Sequence, residues 1–262
     1  MKSIANMMPA AERATRTVNC ADHGPYESIN WLGSVWSKCA ACTREAEAKV
    51  KAAEEAKLRE ARKAQWELRI GSAGIPERFQ TRSLKSFVAE TPAQASALQF
   101  AVEYADNFDQ VLKTGRCALF VGKPGTGKTH LAVGIALRIM HRDNRTALFT
   151  TVQRAIRRIK DTWARDSEQT ETQVIKSMTF PDLLILDEVG VQFGSKFEKD
   201  MLFDILNERY EKRRPTILLS NESEGDVREY LGARVFDRLR EDGGDMIPFD
   251  WESWRGRVEV AQ

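Results

Sequence analysis

Four short apolar runs punctuate the chain beyond its first hundred residues: Cys117 to Val121, Thr146 to Thr150, Leu183 to Leu186, and a run from Pro215 that ends in the polar Asn221. Uninterrupted runs of this length predict strands buried on both faces. Between them the apolar positions switch to helical spacing. Residues 128 to 142 are apolar on one face, Val152, Ile156, Ile159 and Trp163 form one stripe, and Phe197, Met201, Leu202, Ile205 and Leu206 mark a helix from Lys196 to Arg213. Ahead of the first run, Pro92 to Lys113 carries the same period through Ala97, Phe100, Ala101, Tyr104, Phe108, Val111 and Leu112, whereas Asp166 to Ser177 is polar and reads as a connection. Strands alternating with helices predict an α/β fold, a mostly parallel sheet flanked by helices on both faces, with any ligand at the strand ends.

Upstream the pattern is different. Residues 1–18 are polar without a period and read as loose chain, or as chain ordered only against a partner. From Thr43 to Ile70 the chain is Ala, Glu, Lys and Arg with no Pro or Gly, and Glu45/Lys49, Glu47/Lys51 and Glu55/Arg59 sit one turn apart with the acid first. That predicts a long charged helix with a thin apolar face of Leu58, Trp66, Leu68 and Ile70. It is either a solvated rod between two folded parts or a partner-binding helix, and Gly71-Ser-Ala-Gly74 ends it. Three regions follow: 1–42, a small N-terminal module; 43–70, the charged helix; and 71–262, the α/β domain.

The chain has 262 residues, 42% hydrophobic and 30% charged, with a net charge of +2. That length supports one substantial core and a small appendage, and the charge balance does not by itself argue for nucleic acid. No apolar run approaches the ~20 residues that span a bilayer, and the N-terminus lacks a signal-peptide core, so a cytoplasmic location is expected. In that compartment clustered cysteines point to metal rather than disulfides. Cys20, His23, Cys39 and Cys42 fall in two close pairs, a spacing that suits one tetrahedral zinc; the alternative is a chance cluster beside a surface histidine. Cys117 stands apart, as a small core residue.

The chemistry concentrates after the first predicted strand, in Gly122-Lys-Pro-Gly-Thr-Gly-Lys-Thr129, a GxxxxGK[ST] phosphate loop. Gly122, Lys123, Pro124, Gly125, Thr126 and Gly127 would curl so that backbone N–H groups face an anion, with Lys128 on the outer phosphates, Thr129 on magnesium and His130 beside them among the nucleotide-binding residues. Asp187 and Glu188 end the third predicted strand, where Asp187 suits magnesium and Glu188 suits polarising a water. Asn221 at the end of the fourth could orient that water, or serve only as a turn residue. Arg154, Arg157, Arg158 and Lys160 fall largely away from the apolar stripe of their helix, as a face that either tracks a phosphate backbone or is merely solvated.

These motifs, followed by Leu218-Leu-Ser-Asn221, Leu231-Gly-Ala-Arg-Val-Phe-Asp-Arg-Leu-Arg240 and Asp250-Trp-Glu-Ser-Trp-Arg-Gly-Arg257, resemble the DnaC-type replicative helicase loaders. These are AAA+ ATPases related to the IstB transposition helpers, and the resemblance covers residues 71 to 258. It implies ATP and Mg2+ as ligands, Arg238 as the arginine finger acting on a neighbouring subunit, with Arg234 and Arg240 as alternatives, and Arg255 as the second sensor arginine. It further implies ATP-dependent self-assembly, single-stranded DNA along Val152 to Trp163, a hexameric replicative helicase as partner of the N-terminal region, and no membrane. The chain stops soon after Arg255, so neither a helical lid nor a duplex-reading domain is expected. The function implied is ATP-dependent loading of the helicase, with DNA-stimulated hydrolysis releasing the loader. The rivals are a transposition helper and a zinc-containing adaptor with a regulatory ATP site.

Overall fold

The computed structural model describes residues 14–31, 33–190 and 195–255. It divides into two compact units, one ending at Leu68 and the other beginning at Arg69. In the first, strands β1 (Thr15–Cys20) and β2 (Gly24–Ile29) pair antiparallel, from Thr15 opposite Ile29 to Cys20 opposite Gly24, so residues 21–23 make the turn. Helix α1 follows (Ala40–Ser72, 33 residues), in keeping with its run of strong helix formers.

The second unit is a five-stranded sheet flanked by helices. Its elements run α2 (Pro92–Asp106), α3 (Phe108–Thr114), β3 (Ala118–Gly122), α4 (Lys128–Arg142), β4 (Ala147–Thr151), α5 (Val152–Asp161) and α6 (Glu171–Thr179). They continue with β5 (Leu183–Asp187), α7 (Lys196–Glu211), β6 (Thr216–Ser220), α8 (Glu224–Leu231), α9 (Ala233–Arg240) and β7 (Asp245–Phe249). Among the described residues the strand order is β4-β5-β6-β3-β7 and every neighbouring pair is parallel. Each strand therefore ends on the same edge, and that edge carries Gly122, Asp187 and Ser220 together. Alternate residues bury opposite ways. Leu119, Val121, Leu148, Leu184, Leu186 and Leu218 pack in one cluster with residues of α5 to α9. On the other face Phe100 of α2 meets Phe120 edge-on, centroids 6.0 Å apart.

Several expectations need correction. The 1–18 segment is not all loose: residues 15–18 belong to β1, while 1–13 lie outside the described residues. Helix α1 does end inside Gly71-Ser-Ala-Gly74, at Ser72, but it begins at Ala40, ahead of the expected Thr43. The helix expected from Pro92 to Lys113 is two, because Asn107 leaves the helical region (φ −103, ψ 26) even though the apolar spacing continues across it. Asp166 to Ser177 is not simply a connection. Thr170 and Gln173 form a reciprocal capping box and start α6, whose Val174 and Met178, one turn apart, enter the core. Trp163 leaves the α5 stripe, because the helix ends at Asp161; the indole is 59% exposed, donates to Glu171 at 3.1 Å and meets Phe197 edge-on at 5.0 Å.

Candidate nucleotide and metal sites

The phosphate loop is shaped by what it must avoid. Gly122 leaves β3 at φ +135, where a Cβ would lie 2.1 Å from the Phe249 carbonyl oxygen, and the Lys123 N–H donates to that same oxygen at 3.1 Å. Gly127 starts α4 at φ +100, where a Cβ would meet the Phe87 ring at 2.6 Å. These are positions only glycine occupies without strain.

Lys128, the first residue of α4, is buried, and its Nζ donates to the carbonyls of Gly122 at 2.6 Å and Lys123 at 2.8 Å. Burial pulls the ammonium down to about 8, against the opposing charge of Asp187. Thr129 Oγ1 donates to Asp187 Oδ2 at 3.1 Å, and the Glu188 N–H donates to Asp187 Oδ1 at 2.8 Å. Burial pushes the Asp187 carboxyl above the usual range, a group that gains from a cation beside it. Glu188 is exposed with φ +62, the left-handed region, which costs a non-glycine residue on the order of 1 kcal/mol and is concentrated at functional sites. Asn221 is exposed directly after β6, and Ser220 Oγ ties that strand end to the Val189 carbonyl at 2.6 Å. A buried ammonium, a helix N-terminus and a hydroxyl–carboxylate pair on one sheet edge are a donor set that fits a triphosphate with its magnesium.

Two segments cover the loop, and the sequence pattern pointed to neither contact. From upstream, Phe87 packs on Gly127 and edge-on to His130, centroids 5.4 Å apart. The His130 imidazole is engaged with the Ser83 carbonyl at 2.9 Å and the Ser86 hydroxyl at 3.2 Å, so its side chain braces this segment; burial lowers its pKa. From downstream, Trp251 Nε1 donates to the Thr126 carbonyl at 3.0 Å and the Trp254 N–H donates to the Gly125 carbonyl at 2.9 Å. Ser253 and Arg255 close on the same turn: a Cβ on Gly125 would be 2.0 Å from Ser253 Oγ and 3.2 Å from Arg255 Cγ. Phe87 carries no pattern signal of its own in Leu84-Lys-Ser-Phe-Val88, whereas the two tryptophans lay inside the recognised C-terminal motif.

Arg238 is elsewhere. It lines a small cavity with Cys117, Tyr210 and Thr216, at the starting ends of β3 and β6 and so at the opposite edge of the sheet from its own phosphate loop. Its guanidinium lies 4.9 Å from the Tyr210 ring centroid, and Nη1 is buried without a hydrogen-bond partner. Arg234 is exposed with its guanidinium 5.8 Å from the Phe203 ring, and Arg240 pairs with Glu224 at 3.6 Å. On α5, Arg154, Arg157 and Lys160 are exposed, whereas Arg158 is half-buried and donates to Ser177 Oγ at 3.2 Å.

In the first unit, ligand atoms of Cys20, His23, Cys39 and Cys42 all lie within 4.8 Å of one another, a group that could hold a metal ion. The β1–β2 turn supplies Cys20 and His23; Cys39 precedes α1 and Cys42 lies in its first turn. Glu45, expected to pair with Lys49, instead meets His23 Nε2 at 2.9 Å. Hydrogen bonds to Cys20 and Glu45 raise the imidazole to about 9. Cys117 is far from this group in the chain and bonds the Thr216 N–H through its sulfur at 3.4 Å.

A family profile described as IstB-like ATP binding protein matches residues 44–257. The replicative helicase loader DnaC of Escherichia coli K12 is 36% identical over 202 residues, covering 76% of this chain and 80% of that protein. The DnaC of Buchnera aphidicola subsp. Schizaphis graminum is 32% identical over 202 residues, 77% of this chain and 80% of that protein. Among solved structures, the DnaC helicase loader superposes with a TM-score of 0.60 at 24% identity, over 66% of this chain and 99% of that one, and DnaI with 0.57 at 23%, over 66% and 93%.

Proposed function

Because this chain belongs to the IstB-like ATP-binding proteins and to their DnaC-type AAA+ branch, we propose that it loads a hexameric replicative helicase onto single-stranded DNA in an ATP-dependent step of DNA replication. The observation that carries this reading is the strand-end edge where Lys128, Thr129 and Asp187 converge, joined to 36% identity with a helicase loader over most of the chain. ATP would sit in the loop from Gly122 to Thr129. Mg2+, held by Thr129 and Asp187, would neutralise phosphate charge. Glu188 and Asn221 orient and polarise the attacking water, Arg255 contacts the phosphates of its own subunit, and Arg238 reaches those of a neighbour. A permanently charged, planar guanidinium suits the charge that develops during phosphoryl transfer.

Hydrolysis is stimulated by single-stranded DNA lying along Arg154, Arg157, Arg158 and Lys160, and it releases the loader. We take 71–262 as the ATPase domain, 43–70 as the helix leading to it, and 1–42 as a zinc-containing module through which the helicase is gripped. The test is a pair of variants. Lys128→Ala loses ATP binding; Arg238→Ala keeps it and loses DNA-stimulated turnover. Full turnover in Arg238→Ala refutes the trans role, and a pull-down that captures no replicative helicase while duplex outcompetes single-stranded DNA would shift the reading to a transposition helper.

A further inference from the structure

The N-terminal unit has secondary structure but almost no core. Among its described residues only Ser28 and Cys39 are buried, and Ser28 is there as a hydrogen-bond donor to the Ser37 carbonyl at 2.7 Å. Several of its large apolar groups face solvent, Trp31 at 40% and Val35 at 54% exposed, and Tyr26, Ile29 and Trp36 are only half-buried. A two-stranded hairpin is marginal in water, and a segment this small that cannot bury apolar surface needs another source of stability.

A group of ligating side chains gathers where the hairpin turn meets the start of α1. Cys20 Sγ lies 3.4 Å from Cys42 Sγ and 3.8 Å from His23 Nδ1, and Cys42 Sγ lies 3.3 Å from His23 Nδ1. A tetrahedron built on Zn–S bonds of ~2.3 Å and a Zn–N bond of ~2.0 Å has edges of roughly 3.5–3.8 Å, close to these three separations, and Cys39 completes the group within 4.8 Å. The cysteines are free rather than bridged. His23 offers Nδ1 to the group while its other nitrogen, Nε2, faces the Glu45 carboxylate at 2.9 Å. A carboxylate behind a ligating imidazole fixes its tautomer and ring angle. All four ligating residues precede the span matched by the family profile, residues 44–257.

Building on the zinc reading above, we propose that the N-terminal unit is folded by its metal. Cys20, His23 through Nδ1, Cys39 and Cys42 close a structural zinc site with no position left for substrate, and Glu45 is the positioning residue that holds His23 in the ligating tautomer. The hairpin and the first turn of α1 then stay together only while the metal is bound, and loss of metal releases them without unfolding the ATPase unit.

The experiment uses the full-length chain purified without added metal. Elemental analysis should return about one zinc per chain, and cobalt replacement should give the absorption of a tetrahedral thiolate site. Chelation should open residues 14–40 to limited proteolysis while ATP binding, read separately with a fluorescent nucleotide, stays unchanged. Cys42→Ser should lose the metal. Glu45→Gln should keep it but yield it to a competing chelator with a ~10–100-fold lower affinity. A metal-free chain whose hairpin is as protease-resistant as the zinc-loaded one, or a Cys20–Cys42 disulfide in the protein as isolated, overturns the proposal. A Glu45→Gln affinity equal to wild type overturns the positioning role. None of these readouts depends on ATP turnover or DNA binding, so failure here and failure of the loader reading are separable.

Discussion

Replacing Arg209 by methionine isolates one buried cation that organises the ATPase core without touching the nucleotide. The residue is 1% exposed on α7 and donates six ways: Nε to Thr216 Oγ1 at 3.0 Å, Nη1 to the carbonyls of Met178 at 3.0 Å, Thr179 at 3.3 Å and Pro181 at 2.9 Å, and Nη2 to those of Asp182 at 3.4 Å and Pro215 at 2.7 Å. These acceptors are the end of α6 and the approaches to β5 and β6, so one guanidinium fixes where both strands begin. Burial works against the charge and lowers its pKa, and the ring of carbonyl dipoles is what supports it there.

Four of the bonds are 3.0 Å or shorter. At ~1.5 kcal/mol each for bonds to a charged group they sum to about 6 kcal/mol, from which relief of the buried charge and entry of water subtract, leaving roughly 3–6 kcal/mol. At ~2–4 °C per kcal/mol for a unit of this size, the calorimetric transition of the ATPase unit should fall by roughly 10–20 °C. Arg209→Lys should fall between, since one ammonium has three donors at a single point. Nucleotide affinity at 10 °C should change less than ~3-fold, because the altered contacts lie at the opposite sheet edge from Asp187. A drop below ~3 °C, or a lysine variant as stable as wild type, would refute the claim that this fan of bonds holds the strands.

Two further outcomes concern the phosphate loop. Lys128 is held near pH 8 by burial, so raising pH above that value removes its proton from the free protein, and a bound polyphosphate restores it. ATP affinity should therefore weaken toward tenfold per pH unit above about 8, with proton uptake visible by calorimetry in two buffers; a flat affinity from pH 7 to 9 contradicts it. Gly127→Ala, at φ +100 and 2.6 Å from the Phe87 ring, should weaken ATP binding by about five- to hundredfold through strain of ~1–3 kcal/mol. Adding Phe87→Leu should relieve only part of that loss, and full recovery would mean that the clash, not the backbone, sets the cost.

The sequence made legible those parts of the molecule that are contiguous. Four of the five strands are apolar runs because they are covered on both faces, and β5 delivers its acid pair simply by ending. The fifth, β7, was missed: it is an edge strand, Asp245-Met-Ile-Pro-Phe249, half exposed along its length, and Pro248 is tolerated because only one neighbour must be served. The loop's own residues were readable from spacing. Its covers were not, because Phe87 and Trp251 reach it through tertiary contacts from some forty residues upstream and a hundred and twenty-five downstream.

The two arginines of the C-terminal part separate along the sheet, and that separation bears on assembly. Arg255 lies against the turn at Gly125, close enough that its charge lowers the Lys128 pKa. Arg238 lies with Cys117, five residues before Gly122 on an extended strand, so the two edges are ~16 Å apart, beyond the reach of an arginine side chain. A guanidinium with a buried, unpartnered Nη1 is costly to keep where it is. If it stabilises phosphoryl transfer at all, the phosphate must come from another copy of the chain. On the proposed reading hydrolysis would then depend on assembly: a subunit would hold its nucleotide with Lys128 and Arg255, and Arg238 of a neighbour would add the guanidinium that its own Arg238, at the opposite sheet edge, is too far away to supply.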